Sequence, residues 1–275
     1  MELHQLKHNL FVITAAGGNA TAIRILNYAL DRAGYEKFGR QMMSETESDG
    51  VEQCGFLIPD DNRFEMSGGE FCGNAARAVA ILFSQIKGVD EVEFTMSGFS
   101  GKIRGQVTHL EGNNYQVVCT FEGMSVESKS ITANNQPAHL VDLGGIVHVI
   151  IEGKMPENYE EIHRQITSEL KLTERDAVGV CWISRSPDSI EMHPVVWVKG
   201  INSFFYETSC GSGTIAVGKT TNGSSIIQPS GQSIQVEFTD SAVVLESDMA
   251  ITKEGGVSWD HLDYCSNQPP TYYTH

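Results

Sequence analysis

Short runs in which apolar and polar residues alternate recur along the chain: Glu91–Thr95, Lys102–Val107, Tyr115–Phe121, Val147–Glu152, Val178–Ser184, His193–Val198, Ser233–Phe238 and Ala242–Leu245. A period of two is that of strands with one buried and one wet face, so mostly antiparallel sheet is predicted. Helical spacing is rarer. Tyr159, Ile162, Ile166 and Leu170 recur at helical intervals after Pro156, which predicts an amphipathic surface helix, and Gly34 to Thr46 predicts another. The run Ala75 to Phe83 is apolar almost all round. Such a helix is enclosed by protein, and a sheet wrapped around it accounts for the pattern. The polar stretch Ser125 to Ala138, with Asn134-Asn135-Gln136-Pro137 near its end, reads as a linker, and the last ten residues as an untethered tail.

One pattern repeats. Gly69-Glu70-Phe71-Cys72-Gly73-Asn74 and Glu207-Thr208-Ser209-Cys210-Gly211-Ser212-Gly213 place a cysteine before small residues and then an apolar run. The two cysteines are 138 positions apart in 275 residues. That spacing predicts a duplicated architecture, with residues 1–128 carrying the first thiol, 129–265 the second, and 266–275 a tail. With 40% hydrophobic residues the chain is long enough for one large core or two smaller ones. The expected fold class is α+β.

Charge and composition remove several function classes. A formal net charge of −16 disfavours nucleic acid and anionic membrane surfaces, which need clustered Lys and Arg. No apolar stretch is long enough to span a bilayer, and the first residues lack the apolar core of a signal peptide, so a cytoplasmic location is expected. Six cysteines in such a chain do not read as a disulfide framework. Cys54, Cys119 and Cys181 lie in apolar runs and read as small buried hydrophobes, Cys265 as an exposed thiol in the polar tail. Of the nine histidines only His4 and His8 stand at H-x-x-x-H spacing, and no CxxC pair occurs, so no metal is expected.

Cys72 and Cys210 remain, each at the predicted start of a helix. Removing the α-proton of an amino acid without pyridoxal phosphate requires another way to stabilise charge on the carboxylate, and no residue identifies itself as the lysine that cofactor needs. Helix starts offer unpaired N–H groups and partial positive charge, here from Gly73, Asn74, Gly211, Ser212 and Gly213. The same helix starts are expected to lower a thiol's pKa toward neutrality. One cysteine as thiolate and the other as thiol, on opposite faces of a substrate, would invert its stereocentre. A non-catalytic amino-acid-binding protein and a redox sensor pairing the two thiols are the readings of another class.

At these residues the chain resembles the diaminopimelate epimerase family of cofactor-independent amino acid racemases, on Cys72-Gly73-Asn74-Ala75-Ala76-Arg77 and Cys210-Gly211-Ser212-Gly213-Thr214. Gly18-Asn19, Glu52-Gln53 and His148 extend the likeness along the chain. The resemblance implies two pseudo-symmetric domains, each a β-structure curled around a central helix, with the substrate between them, and no cofactor. It implies that Asn19 binds substrate, and it places Glu52, Gln53, His148 and Glu207 beside the helix-start residues as candidate substrate contacts. Glu52 or Glu207 is expected to accept a hydrogen bond from the substrate ammonium or imidazole, and His148 to line the pocket near the thiols. A homodimer is a further expectation.

Departures from the family pattern narrow the substrate. Diaminopimelate epimerases carry Asn-Ala-Asp-Gly before the first cysteine, where this chain has Glu65-Met66-Ser67-Gly68-Gly69, and Asn-Pro-His where it has Gly145-Ile146-Val147-His148. A central-strand asparagine is replaced by Gly179. They also carry Glu-Arg-Gly-x-Gly-Glu-Thr before the second cysteine, and its arginine grips the distal carboxylate. Here Ser203 to Ser209 contains no arginine, and a buried carboxylate without a cationic partner is strongly disfavoured. Met66-Ser67-Gly68, Glu70-Phe71-Cys72, Glu52-Gln53 and Glu207-x-Ser209-Cys210 resemble instead the histidine racemase branch, which implies interconversion of L- and D-histidine, in some bacteria for a nicotianamine-like metallophore. A diaminopimelate epimerase, or a racemase of another polar amino acid, is the alternative.

Overall fold

The apolar run around Ala75 forms the axis of the first half. In a computed structural model describing residues 8–256, that half contains β1 (Leu10–Ala15), β2 (Gly18–Ile25), α1 (Arg32–Glu45), β3 (Val51–Ile58), β4 (Arg63–Met66), α2 (Gly73–Lys87), β5 (Glu91–Met96), β6 (Phe99–His109) and β7 (Asn114–Glu122). The second half adds β8 (Glu127–Ala133), β9 (Gln136–Asp142), β10 (Val147–Glu152), α3 (Tyr159–Glu169), β11 (Ala177–Arg185), β12 (Ile190–Val198), β13 (Ser203–Tyr206), α4 (Gly211–Thr221), β14 (Ser225–Ile227), β15 (Ser233–Phe238) and β16 (Ala242–Gly255). Cys265 and the tail 266–275 lie outside the described residues.

Strands β1 to β7 follow one another around α2, and β16 closes the ring by pairing with β7 on one edge and β1 on the other. The result is an eight-stranded barrel. Every residue of α2 from Gly73 to Phe83 is buried, because staves surround the helix on all sides. Phe71, Phe83, Phe94, Phe121 and Leu245 fill the space between helix and wall. The helix stops at Gly88, whose φ of 66° is the left-handed conformation glycine adopts without a Cβ penalty. Outside the barrel, α1 covers β3, and Asp31 caps it by accepting from Gly34 N at 2.7 Å.

In the second half the strands run β16-β15-β14-β12-β11-β10-β9-β8, with β13 added beside β12. This sheet curves around α4, buried from Gly211 to Gly218, while α3 packs on its outer face through Ile166 and its neighbours. The stretch Ser125 to Ala138 is not a linker. Most of it is β8 and the start of β9, paired antiparallel through a two-residue turn. Asn134 and Asn135 both have positive φ, 48° and 59°, the conformation a tight hairpin demands and asparagine tolerates. Its polar composition reflects exposure: β8 has four exposed residues in a row.

The strand read over Ala242–Leu245 runs on to Gly255 and serves both sheets. Its first part pairs with β15 over Val243 to Glu246, its last part with β1 over Met249 to Gly255, and β7 lines its opposite edge. Strands β10 and β11 are parallel, with the crossover helix α3 between them.

Candidate active site

The sheets bring the two cysteine motifs together end to end. Cys72 caps α2 and Cys210 caps α4, with nearly the same backbone: φ −135° and ψ 111° against φ −140° and ψ 106°. Each sulfur accepts the N–H three residues on, Ala75 N at 3.4 Å and Gly213 N at 3.3 Å. Each thiol thus serves as an N-cap side chain. The N–H groups of Gly73 and Asn74, and of Gly211 and Ser212, are helix-start donors that no intrahelical carbonyl can reach. Gly213 N–H is already taken by the thiol.

The helix starts abut. A Cβ on Gly73 would lie 3.2 Å from the carbonyl carbon of Gly211, and one on Gly211 would lie 3.0 Å from both Asn74 N and Gly73 C. Asn74 bridges the junction by donating its side-chain amide to Ser209 O at 2.9 Å, while its Oδ1 accepts from the buried Arg77. Gln228 holds the other side, accepting from Cys210 N at 2.8 Å. Both cysteines line one narrow cavity of about 20 Å³.

Glu52, Gln53, Glu207, Gly211 and Ser212 line this cavity with the two cysteines. Gln53 is bonded at both ends: Oε1 accepts from the Cys72 thiol at 3.1 Å, and Nε2 donates to Asn19 Oδ1 at 2.6 Å and Thr21 Oγ1 at 2.8 Å. It therefore orients Cys72. Asn19, with φ 43°, stands behind Gln53, its side-chain N–H₂ buried without a partner beside Glu207. Thr208 Oγ1 accepts from Asn19 N at 2.8 Å and donates to Glu52 Oε1 at 2.7 Å, leaving Glu52 Oε2 free.

His148 is not on the cavity wall. It is fully buried behind Ser212, with Nε2 2.9 Å from Ser212 Oγ and Nδ1 3.6 Å from Cys181. Gly179, its partner across β10 and β11, makes room for it: a Cβ there would lie 2.1 Å from His148 Nδ1. Glu70 and Phe71, which the sequence marks only as part of the cysteine motif, complete the wall with Ile146, Val196, Val198, Ile201 and Phe205. Glu70 lies inside the cysteine motif and was legible as a charged residue in a buried context. The aliphatic residues carry no chemical signature, and only the curvature of the sheet selects them.

Electrostatics corrects one expectation. In the buried cavity the thiols do not approach neutrality. Burial, then the nearby Glu207, pushes Cys72 up to about 12 and Cys210 well above its ordinary value, outweighing the helix N–H groups. Burial, then Glu52, pushes Glu207 up to about 8, and burial pushes Glu70 up to about 7. Among the described residues no cluster of His, Cys, Asp or Glu is arranged to hold a metal ion.

These buried groups predict how stability varies with pH. Burial depresses His148 to about 3 and His163 to about 4, against 6.5 when free. The unfolded chain then binds more protons below about 6.5, so their contribution is present above that pH and lost as pH falls toward 4 and 3. Glu70 and Glu207 are raised above 4.5, so the native state binds the extra protons. Their contribution is full below 4.5 and lost as pH rises through about 7 and 8. Thermal unfolding across pH 3.5–9 is therefore expected to give a plateau near pH 4.5–6.5 and a lower Tm on both sides. A Tm rising steadily from pH 6 to 9 would contradict this.

Fold and paired thiols define a class. Over 91% of this chain and 99% of that one, the structure resembles a predicted epimerase from Pseudomonas aeruginosa, with TM-score 0.60 and 13% identity. A PhzF-family phenazine biosynthesis protein from Enterococcus faecalis is similar over 91% and 98%, with TM-score 0.54 and 17% identity. The fold is thus that of the epimerase and PhzF proteins. The sequence model described as "Histidine racemase CntK N-terminal domain" matches residues 11–255, and the chain belongs to that family. Histidine racemases from two strains of Fusobacterium nucleatum subsp. nucleatum are 29% and 28% identical to it over 262 residues, covering 90% of this chain and 95% and 96% of theirs. The protein is an amino acid racemase, an isomerase. No helix among the described residues is long and apolar enough to cross a membrane.

Proposed function

We propose that the protein interconverts L- and D-histidine by a two-thiol mechanism without a cofactor. The observation that carries the mechanism is that two cysteines cap two abutting helices and open onto one cavity. The substrate carboxylate takes the helix-start N–H groups of Gly73, Asn74, Gly211 and Ser212, where the helix dipoles favour negative charge. Its ammonium lies against Glu207 and the free oxygen of Glu52. This cation offsets the carboxylate charges that raise the thiols, so that one cysteine ionises while the other keeps its proton. The thiolate takes the Cα proton on one face and becomes a thiol. The opposite thiol gives its proton to the other face and becomes the thiolate. Reversal of the two roles runs the reaction backward.

The matching backbone at the two caps supports a pseudo-symmetric pair of units, residues 1–128 and 129–265, with β16 shared between them. Histidine as substrate is supported by the family and its curated relatives, and by a cavity that offers carboxylates but no arginine to a side chain. A metallophore route consuming D-histidine is the role that fits such a product.

The test is incubation of the reduced protein with L-histidine in deuterium oxide. A racemase incorporates deuterium at Cα while optical rotation decays to zero. Unlabelled histidine after prolonged incubation, with binding intact, would identify an amino-acid-binding protein instead.

A further inference from the structure

Glu70 stands in the segment that leads into Cys72 and is only 4% exposed, yet among the described residues its carboxyl forms no ion pair, and the Arg32 charge and the backbone N–H groups of Glu70 and Gly68 do not outweigh its burial. Its Oε2 is buried without any hydrogen bond, and the residue lines the cavity. The Arg32 guanidinium, whose charge acts on Glu70, makes its hydrogen bonds to other groups: it donates to Met66 O and Ser67 O at 2.7 Å each, and to Glu65. A buried carboxyl oxygen left short of a donor is costly unless a bound molecule supplies one.

The other two cavity acids serve the opposite end. Glu52 is tied through Thr208 to the backbone of Asn19, and Glu207 faces Cys210. The Glu70 carboxyl instead lies toward Val198: a Cβ on Gly68 would sit 2.5 Å from Glu70 Oε2 and 2.4 Å from Val198 Cγ1. Phe71, Val198 and Ile201 form an apolar wall around it. A flat ring with one N–H fits such a lining: its faces pack on the aliphatic side chains and its edge needs one acceptor.

We propose that Glu70 is a specificity-determining residue, its free carboxyl oxygen accepting the ring N–H of the substrate imidazole. This assignment rests on the histidine racemase reading and adds which residue selects the side chain. The match extends to proton affinity, since a carboxyl held near 7 and an imidazole near 6.5 share a proton readily. A substrate with a distal carboxylate would meet Glu70 as a like charge. This acid therefore also acts against dicarboxylic amino acids.

The experiment compares L-histidine racemisation by wild type, Glu70→Gln and Glu70→Leu. Glu70→Leu is expected to raise KM for histidine about tenfold to a hundredfold, the range for a lost hydrogen bond to a charged group, with a smaller change in kcat. Glu70→Gln, which keeps one acceptor, should fall between. A KM rise below fivefold in Glu70→Leu overturns the assignment. Should that variant fail to fold, histidines methylated at either ring nitrogen, assayed with wild type, decide the matter. At least one isomer is expected to lose fivefold or more in kcat/KM, and turnover of both like histidine overturns the assignment. Wild-type protein that exchanges no Cα proton of histidine would instead remove the racemase reading, an outcome distinct from a working racemase indifferent to Glu70.

Discussion

Replacing either cysteine with alanine is expected to lower racemisation of histidine by about 100- to 10,000-fold, the usual contribution of a positioned acid or base. The informative part is the asymmetry that remains. With Cys72→Ala, only Cys210 can take a proton, so only the enantiomer whose Cα–H faces Cys210 should exchange with deuterium oxide, slowly and without inversion. Cys210→Ala should exchange the opposite enantiomer. Chiral chromatography with mass detection separates exchange from inversion. Equal exchange of both enantiomers by both variants would mean that a single group serves both faces, and the two-thiol reading would fail. Both substitutions also remove an N-cap, so a modest fall in Tm of about 1 kcal/mol equivalent should accompany the loss.

Gly211→Val is expected to cost about 100-fold in kcat although neither thiol is altered. A Cβ at this position already lies 2.9 Å from Asn74 Oδ1 and 3.0 Å from the Asn74 and Gly73 backbone, before the two valine methyls are added. The helix starts must separate, and misplacement of catalytic groups by about 1 Å produces losses of that order. Near-wild-type kcat would show that the junction tolerates separation. Because Gly211 also lines the cavity, KM for histidine is expected to rise alongside the fall in kcat.

Much of this site was legible in the sequence, for a physical reason. A helix start capped by its own side chain and approached closely by another backbone leaves cysteine, glycine and a small residue in fixed order, and that order occurs twice. Chain-local patterns likewise exposed the enclosed helix α2 and the alternating strands. The rest depended on partners distant in sequence. The thiol pKa is not legible locally, because burial and then Glu207 set it, and neither is visible at Cys72 itself. His148 and Gly179 form one packing unit that spacing cannot reveal, because parallel strands joined through a helix bring them side by side. The β8–β9 hairpin was taken for a linker because exposed strands with an Asn-Asn turn have the composition of a loop.

Strand β16 has a consequence for how the molecule can be divided. Translation ending between residues 123 and 241 leaves a seven-stave cylinder with β1 and β7 unzipped along its open seam. Raw seams of that kind recruit other chains, so the amino-terminal fragment alone should be sticky and prone to clump. The two thiol-bearing parts are thus laced by a single ribbon, and the carboxyl-terminal fragment would have to be supplied in trans for the first half to fold cleanly.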